Sequence, residues 1–230
     1  MNEPIPQAPH HPESNASVVD PWDEAYCRFE TPEQECRKFA TRLRKLGARE
    51  WPREARIVEM FCGRGNGLHS LSRLGFINLE GADLSAPLLA RYTGQAEHYV
   101  CDCRTLPLES CSKDILIVQG GLHHLPDLPD DLHRTLSEAQ RVLKSGGLFV
   151  VVEPWMTSFL SLVHAACANS AARRLSGRID ALATMIEYES KTYYQWLTRP
   201  EQILPLFHDY FRVQRCTIGW GKIMMVAAKV

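Results

Sequence analysis

Between residues 55 and 152 short, largely apolar runs alternate with amphipathic stretches, and this rhythm restricts the fold more than any other feature of the chain. The runs lie at 55–60, 79–84, 98–101, 114–119 (DILIVQ) and 148–152 (LFVVV). They are too short for helices and the last two lack polar alternation, so they are expected to be strands buried on both faces. The intervening segments read as helices: 68–74, ended by Gly75; a stretch capped by Ser85, with Pro87 in its first turn and Leu88, Leu89 and Tyr92 on its apolar side; and a stripe of Leu132, Leu136, Ala139 and Leu143 stopped at Ser145-Gly146-Gly147. Such repetition predicts an α/β, doubly wound, mostly parallel sheet of seven strands with helices on both faces. After Glu153-Pro154 the rhythm breaks. Residues 155–196 read as a helical insertion and another helix follows near 200–208. The chain then closes with strands at 211–218 and 222–230, an antiparallel hairpin joined through Gly219-Trp220-Gly221.

One domain over residues 22–230 accommodates this pattern. Residues 1–21 hold five prolines and little aliphatic bulk, and are expected to be a flexible leader. A helix begins at Thr31, where Thr31-Pro32-Glu33-Gln34 combines an N-cap, a proline at the first helical position and a capping-box glutamine. Cys36, Phe39, Leu43 and Leu46 continue it and Gly47 ends it. The 26 Lys and Arg against 27 Asp and Glu leave no basic excess of the kind that nonspecific nucleic-acid or anionic-membrane binding draws on. No apolar run reaches the roughly 18 residues of a membrane span. The N-terminus carries no secretory pattern, and the eight cysteines are scattered without a C-x-x-C, so a cytoplasmic protein with reduced thiols is expected.

The chemistry concentrates at the first strand-to-helix turn, Glu59-Met60-Phe61-Cys62-Gly63-Arg64-Gly65-Asn66-Gly67. Glycines there let the backbone pass close to a ligand and present helix N–H groups to an anion. The dinucleotide pattern G-x-G-x-x-G/A begun at Gly63 needs a small residue where Leu68 stands, so a nicotinamide cofactor fits poorly. Asp83 ends the second strand, where a carboxylate can accept both hydroxyls of a ribose. Asp102 follows the third strand and can accept from an adenine amine.

In this order and spacing the chain resembles the class I S-adenosylmethionine-dependent methyltransferases. The resemblance runs from about residue 56 to 154 in the blocks VEMFCGRGNG, GADLS, CDCRTLP, DILIVQGGLHHLPD and RVLKSGGLFVVVEP. It implies a Rossmann-like methyltransferase fold, S-adenosyl-L-methionine as cofactor and S-adenosyl-L-homocysteine as product. It further implies that Glu59, Gly63 and Gly65 hold the methionine portion, that Asp83 holds the ribose, and that Asp102 holds the adenine amine. Residues 119–123, among them Gln119, Gly120 and Leu122, would line the sulfonium end. Phe61, Leu84, Cys101 and Cys103 complete the expected cofactor-binding set. Phe61 stands where the family usually has glycine, and Glu59 where aspartate is commoner; the F-C-G turn occurs in some nucleic-acid methylating branches and leaves the branch open.

His123-His124 follows the fourth strand, at the end where ligands bind in such sheets. An imidazole there can take a proton from an attacking hydroxyl or amine, or pack against the cofactor and brace the loop. Glu153 ends the fifth strand at the same edge, as base, orienting group or plain strand-end residue. These three are the catalytic candidates. Tyr26, beside Arg28 and Phe29, lies in the 22–52 segment that in this family often folds over the cofactor as a helical lid. Tyr193, Tyr194 and Trp196, with Tyr188 and the interleaved Glu187 and Glu189, lie in or beside the 155–196 cap, where such enzymes build the acceptor pocket. They would meet the substrate or glue the cap onto the sheet. Arg173, Arg174 and Arg178 form a solvated face or an anion site. No metal is expected, because Cys101-x-Cys103 with Cys111 lacks the roughly four close ligands that zinc needs, and His10-His11 reads as incidental.

Gln119-Gly120-Gly121-Leu122 stands where amino-nitrogen methylating DNA enzymes carry an N-P-P-Y-type tetrad, and no proline-cysteine nucleophile pair is present. The expected acceptor is therefore a small molecule methylated on oxygen or nitrogen, by a monomer or homodimer with no membrane or nucleic-acid partner. An RNA-modifying methyltransferase, favoured by F-C-G and the three arginines, is the alternative, as is a catalytically inactive methyltransferase-like scaffold.

Overall fold

The computed structural model describes residues 21–230, so His10-His11 and all but the last residue of the expected leader lie outside the described residues. The strands are β1 (Arg56–Met60), β2 (Asn78–Asp83), β3 (Glu97–Val100), β4 (Lys113–Gln119), β5 (Leu143–Pro154), β6 (Arg212–Gly219) and β7 (Lys222–Ala228). They form one sheet in the order β3-β2-β1-β4-β5-β7-β6. The first five pair in parallel, and β7 runs antiparallel to both β5 and β6. This is the doubly wound sheet with a terminal hairpin that the apolar rhythm implies.

Side chains alternate across a strand, and both faces are buried here. Val58, Met60, Leu116, Val118, Phe149 and Val151 pack on one side against α5 (Asp130–Val142), α9 (Ser190–Leu197) and α10 (Pro200–Tyr210). Ile57, Ile115, Ile117, Val150 and Val152 pack on the other side with α2 (Pro32–Lys45) and α3 (Asn66–Arg73). Removing a full Val, Leu, Ile or Phe side chain from water stabilises by about 1.5–3 kcal/mol, so the two layers hold the fold without cross-links. All eight cysteines are free thiols. Among the described residues no helix is long and apolar enough to cross a membrane.

Several elements differ from the sequence expectation. Pro21 does not belong to a leader but starts α1 (Pro21–Phe29), whose Ala25 is buried with Ala181 and Met185 of α8 (Gly177–Tyr188). A nine-residue helix this short is marginal alone, and here its partner lies some 150 positions away in the chain. The helix after Ser85 is one turn only, α4 (Ala86–Leu89), and leaves Tyr92 outside it. The 155–196 helix is broken into α6 (Ser158–Ala168), α7 (Ser170–Leu175), α8 and α9. Asn169 and Ser176 cause two of the breaks, because their side chains accept from backbone N–H groups of the following turn. The Thr31 capping box forms as expected.

Parallel register brings one edge of the sheet level. Met60 pairs with Ala82 and with Val118, and Gln119 with Val152. Asp83, Gln119 and Glu153 therefore emerge together at the carboxyl edge, beside the turn that follows β1.

Candidate active site

Phe61, Gly63 and Gly65 all adopt the left-handed region, with φ of 56°, 52° and 77°. The conformation is readily taken by glycine and uncommon for phenylalanine. The Asp83 carboxylate holds the turn in place. One oxygen accepts from the Gly63 N–H at 2.7 Å and the other from the Ser85 N–H at 2.8 Å. From the far side, Asn66 Nδ2 donates to Glu35 Oε2 at 2.6 Å, tying α2 to the start of α3. Tyr26 of α1 reaches the same turn, its ring 4.2 Å from the Arg64 guanidinium and stacked on Trp22 at 5.0 Å.

Beneath the turn Glu59 is 2% exposed. A Cβ on Gly67 would fall inside its carboxylate, so the approach requires glycine. Burial first, and then the charge of Glu35, push the Glu59 carboxyl up to about 8, with Gln119 and the Leu68 backbone pulling the other way. Its Oε2 and both polar atoms of the Gln119 side chain are buried and meet hydrogen-bond geometry with no described residue. Buried polar atoms are normally paired. An acceptor and an amide left open beside a glycine turn fit the amino-acid end of the cofactor that the sequence resemblance implies.

Further along the edge, Leu84 is 72% exposed. Asp102 is held by Arg104, which donates to both its oxygens at 2.6–3.0 Å and also bonds Asp131 at 2.6 Å. The Arg104 guanidinium keeps the Asp102 carboxyl below its usual range. Cys101 is half-buried, while Cys103 is buried in the core with its thiol pushed up by burial.

The loop after β4 joins this turn directly, for a Cβ on Gly121 would overlap the Phe61 ring. Gly120 has φ 84°, and a single 3-10 turn, Leu122–His124, follows. Glu153 organises it. One oxygen accepts from the Gly121 and Leu122 N–H groups, each at 2.8 Å, and the other lies 2.7 Å from His123 Nδ1. Glu153 is 1% exposed and both its oxygens are engaged. Burial opposes charge on His123, but the Glu153 hydrogen bond and the negative charges of Glu153 and Glu189 prevail and raise it to about 9. The neighbouring protein mass and then His123 itself lower His124 to about 4. The two environments thus push adjacent imidazoles apart.

Glu189, which ends α8, faces both rings, 3.8 Å from His123 Nε2 and 3.8 Å from His124 Nδ1. Among the described residues no hydrogen bond engages the His124 ring. Tyr193 stands edge-on to His123 at 5.9 Å, its hydroxyl 3.0 Å from His164 Nε2, and Tyr194 is edge-on to Tyr193. Trp196 is not part of this group. It is 1% exposed, packed on Trp155, and donates to the Pro154 carbonyl at 2.8 Å, so it fastens the cap to the sheet. Sequence reasoning did not assign Glu189, Arg104 or Arg64 to the site. Glu189 carried only the signal of an acid among aromatics, and its partners lie 65 positions earlier.

Residues 58–151 match the family described as a methyltransferase domain. That match spans less than half of the chain, over the stretch that resembles the class I S-adenosylmethionine-dependent methyltransferases. Part of the chain is 28% identical over 110 residues to the ubiquinone/menaquinone biosynthesis C-methyltransferase of Campylobacter jejuni, covering 44% of this chain and 45% of that protein. The chain thus matches less than half the length of that curated relative. Among solved structures it is similar to a Pyrococcus horikoshii protein, with TM-score 0.68 and 17% identity over 93% of this chain and all of that one. It is also similar to the geranyl diphosphate C-methyltransferase of Streptomyces coelicolor, solved with Mg2+, geranyl diphosphate and S-adenosyl-L-homocysteine, with TM-score 0.59 and 14% identity over 86% and 78% of the two chains.

Proposed function

We propose that the chain transfers a methyl group from S-adenosylmethionine to a small-molecule acceptor, and that the acceptor meets the cluster of His123, His124 and Glu189. The observation that carries this reading is the contact between two loops: the glycine turn, with its open Glu59 and Gln119 atoms, abuts the histidine turn through Phe61 and Gly121. The cofactor supplies an electrophilic methyl carbon on a sulfonium. Glu59 and Gln119 bind its amino-acid end, Asp83 and Leu84 its ribose, and Asp102 with Cys101 its adenine. Reaction by in-line displacement asks mainly for alignment in a water-poor site, and the buried His123–Glu153 pair keeps the loop rigid there. Glu153 acts through His123 as a positioning residue, since both its oxygens are engaged. His124 and Glu189 keep polar atoms on the acceptor side. Tyr26 and α1 cover the turn, and Tyr193 and Tyr194 wall the acceptor side.

The acceptor atom is oxygen or nitrogen in this reading. Carbon is the second reading, favoured by the C-methyltransferases among the relatives. Two of the three arginines that would favour RNA are engaged within the chain: Arg173 pairs with Asp180 and Glu187, and Arg178 lies over the Phe29 ring. Incubation with 13C-methyl S-adenosylmethionine and panels of phenols, amines, quinols and RNA tests all of this. Adenosylhomocysteine release with a small-molecule panel is expected, and the 13C shift of the transferred methyl identifies the atom. Transfer to RNA alone, or no transfer to any panel, would contradict the reading.

Glu59 gives this site a pH signature. With its carboxyl at about 8 in the folded chain against 4.5 ordinarily, the folded state holds a proton that the unfolded state has lost. Its contribution to stability therefore falls as pH rises between those values and levels off above the higher one. A cofactor ammonium facing Glu59 requires the carboxylate, so binding near pH 6.5 should release close to one proton, and affinity should rise towards pH 8. Calorimetry in buffers of different ionisation heat reads this directly. Glu59→Gln should abolish the proton release, and an unchanged release in that variant would rule out Glu59 as its source.

A further inference from the structure

We propose that His123 Nε2, His124 Nδ1 and a Glu189 oxygen form a binding site for one divalent transition cation of the zinc class, with Glu153 as its outer carboxylate. The three ligand groups come from two elements, the 3-10 turn after β4 and the junction of α8 and α9, and their donor atoms all lie within 4.8 Å of one another. Both Glu189 contacts are 3.8 Å. That is too long for a hydrogen bond, so the carboxylate faces two imidazoles without bonding either. A tetrahedral ion with bonds of about 2.0–2.2 Å holds its donors roughly 3.3–3.5 Å apart. Oε2 is the oxygen near His123 and Oε1 the one near His124, so binding an ion turns the carboxylate until one oxygen serves with both imidazoles.

The second observation is Glu153. A metal-binding histidine usually passes its other ring N–H to a carboxylate, which fixes the tautomer and turns the lone pair to the ion. Glu153 does this to His123: its oxygen sits 2.7 Å from Nδ1, and the carboxylate is itself held by two backbone N–H groups. Nε2 is thereby left facing Glu189. Two carboxylates accompany the two imidazoles in this half-buried pocket, and a divalent cation would take the place of the proton that His123 Nε2 gives up on ligation. Two histidines and one carboxylate suit zinc, cobalt or ferrous iron better than magnesium or calcium, which prefer oxygen alone. Such a set leaves a position open. If the methyltransferase reading holds, that position would take an oxygen of the acceptor, and the cation would then favour loss of its proton with no free imidazole base. The scattered cysteines pointed away from any metal; the ligand set is assembled instead by the fold, across the cap.

The test uses the full chain, stripped with chelator and titrated with ZnCl2 by calorimetry and with CoCl2 by visible absorption. One ion per chain is expected, with the intense visible bands of four-coordinate cobalt. His124→Ala and Glu189→Gln, both at partly exposed positions, should lose that ion while circular dichroism stays native, and Glu153→Gln should weaken it roughly 10- to 100-fold. No uptake by the wild-type chain overturns the proposal. So does uptake that persists unchanged in the His124 and Glu189 variants, which would put the ion at exposed thiols or at His10-His11. Adenosylhomocysteine binding measured in parallel separates the two ideas: its failure counts against the methyltransferase reading and leaves the cation result standing.

Discussion

Glu153→Ala is expected to lower the unfolding free energy by about 3–5 kcal/mol, the range for breaking a buried pair by removing one partner. The variant strips acceptors from the Gly121 and Leu122 N–H groups and leaves His123 without its 2.7 Å partner, all at a position 1% exposed to solvent. For a chain of this size the loss corresponds to a melting point lower by roughly 6–20 °C. Glu153→Gln should cost less, because one amide oxygen can still serve both backbone donors and only the contact to His123 must change. Differential scanning calorimetry of the two variants checks the order. Equal, small losses would mean that the loop after β4 is held by something other than Glu153.

Gly65→Ala is the second large effect, expected at about 2–5 kcal/mol. Left-handed backbone costs a side chain roughly 1–2 kcal/mol, and Gly65 has φ 77°. Overpacking adds typically 1–3 kcal/mol, because the new Cβ would meet the body of the Tyr92 ring, with Cε2 at 2.8 Å and Cγ at 2.9 Å. Tyr92→Ala in the same chain should recover the packing part and not the backbone part, so the two substitutions should be strongly non-additive. Chemical denaturation of the single and double variants measures this. Additive costs would show that Tyr92 is not what excludes a side chain from position 65.

The sheet was legible because each apolar run is short and each helix between runs carries a stop or a cap that acts within a few residues. Thr31 with Gln34, Gly75 and Ser85 are local signals, and the elements they predict are present. The terminal hairpin was legible for the same reason, through Gly219-Trp220-Gly221. What was not legible depends on distant partners. Helix α1 exists because Ala25 buries against Ala181 and Met185, and nothing near Pro21 announces those residues. The cap looked like one helix because apolar spacing runs across Asn169 and Ser176, whose side chains turn back on the backbone and interrupt it.

At the site, the acids and glycines at the ends of strands could be placed from order alone, since parallel register levels those ends. Side-chain roles could not. Trp196 belongs to an aromatic run in the sequence, yet its ring fills the joint between cap and sheet. Glu189 sits in the same run and faces the histidines. Glu189 stands at the break between α8 and α9 and Trp196 inside α9, so the run crosses two elements and only packing says which surface each residue serves.

Titration of the full chain with S-adenosyl-L-homocysteine, beside Asp83→Ala, tests the central claim most directly. The account predicts one site per chain and a loss of roughly 1–3 kcal/mol, about 5- to 150-fold in affinity, when Asp83 no longer meets the ribose or holds the Gly63 N–H. A wild-type chain that binds no adenosylhomocysteine, or an Asp83→Ala variant that binds it equally well, would contradict the placement of the cofactor at this turn.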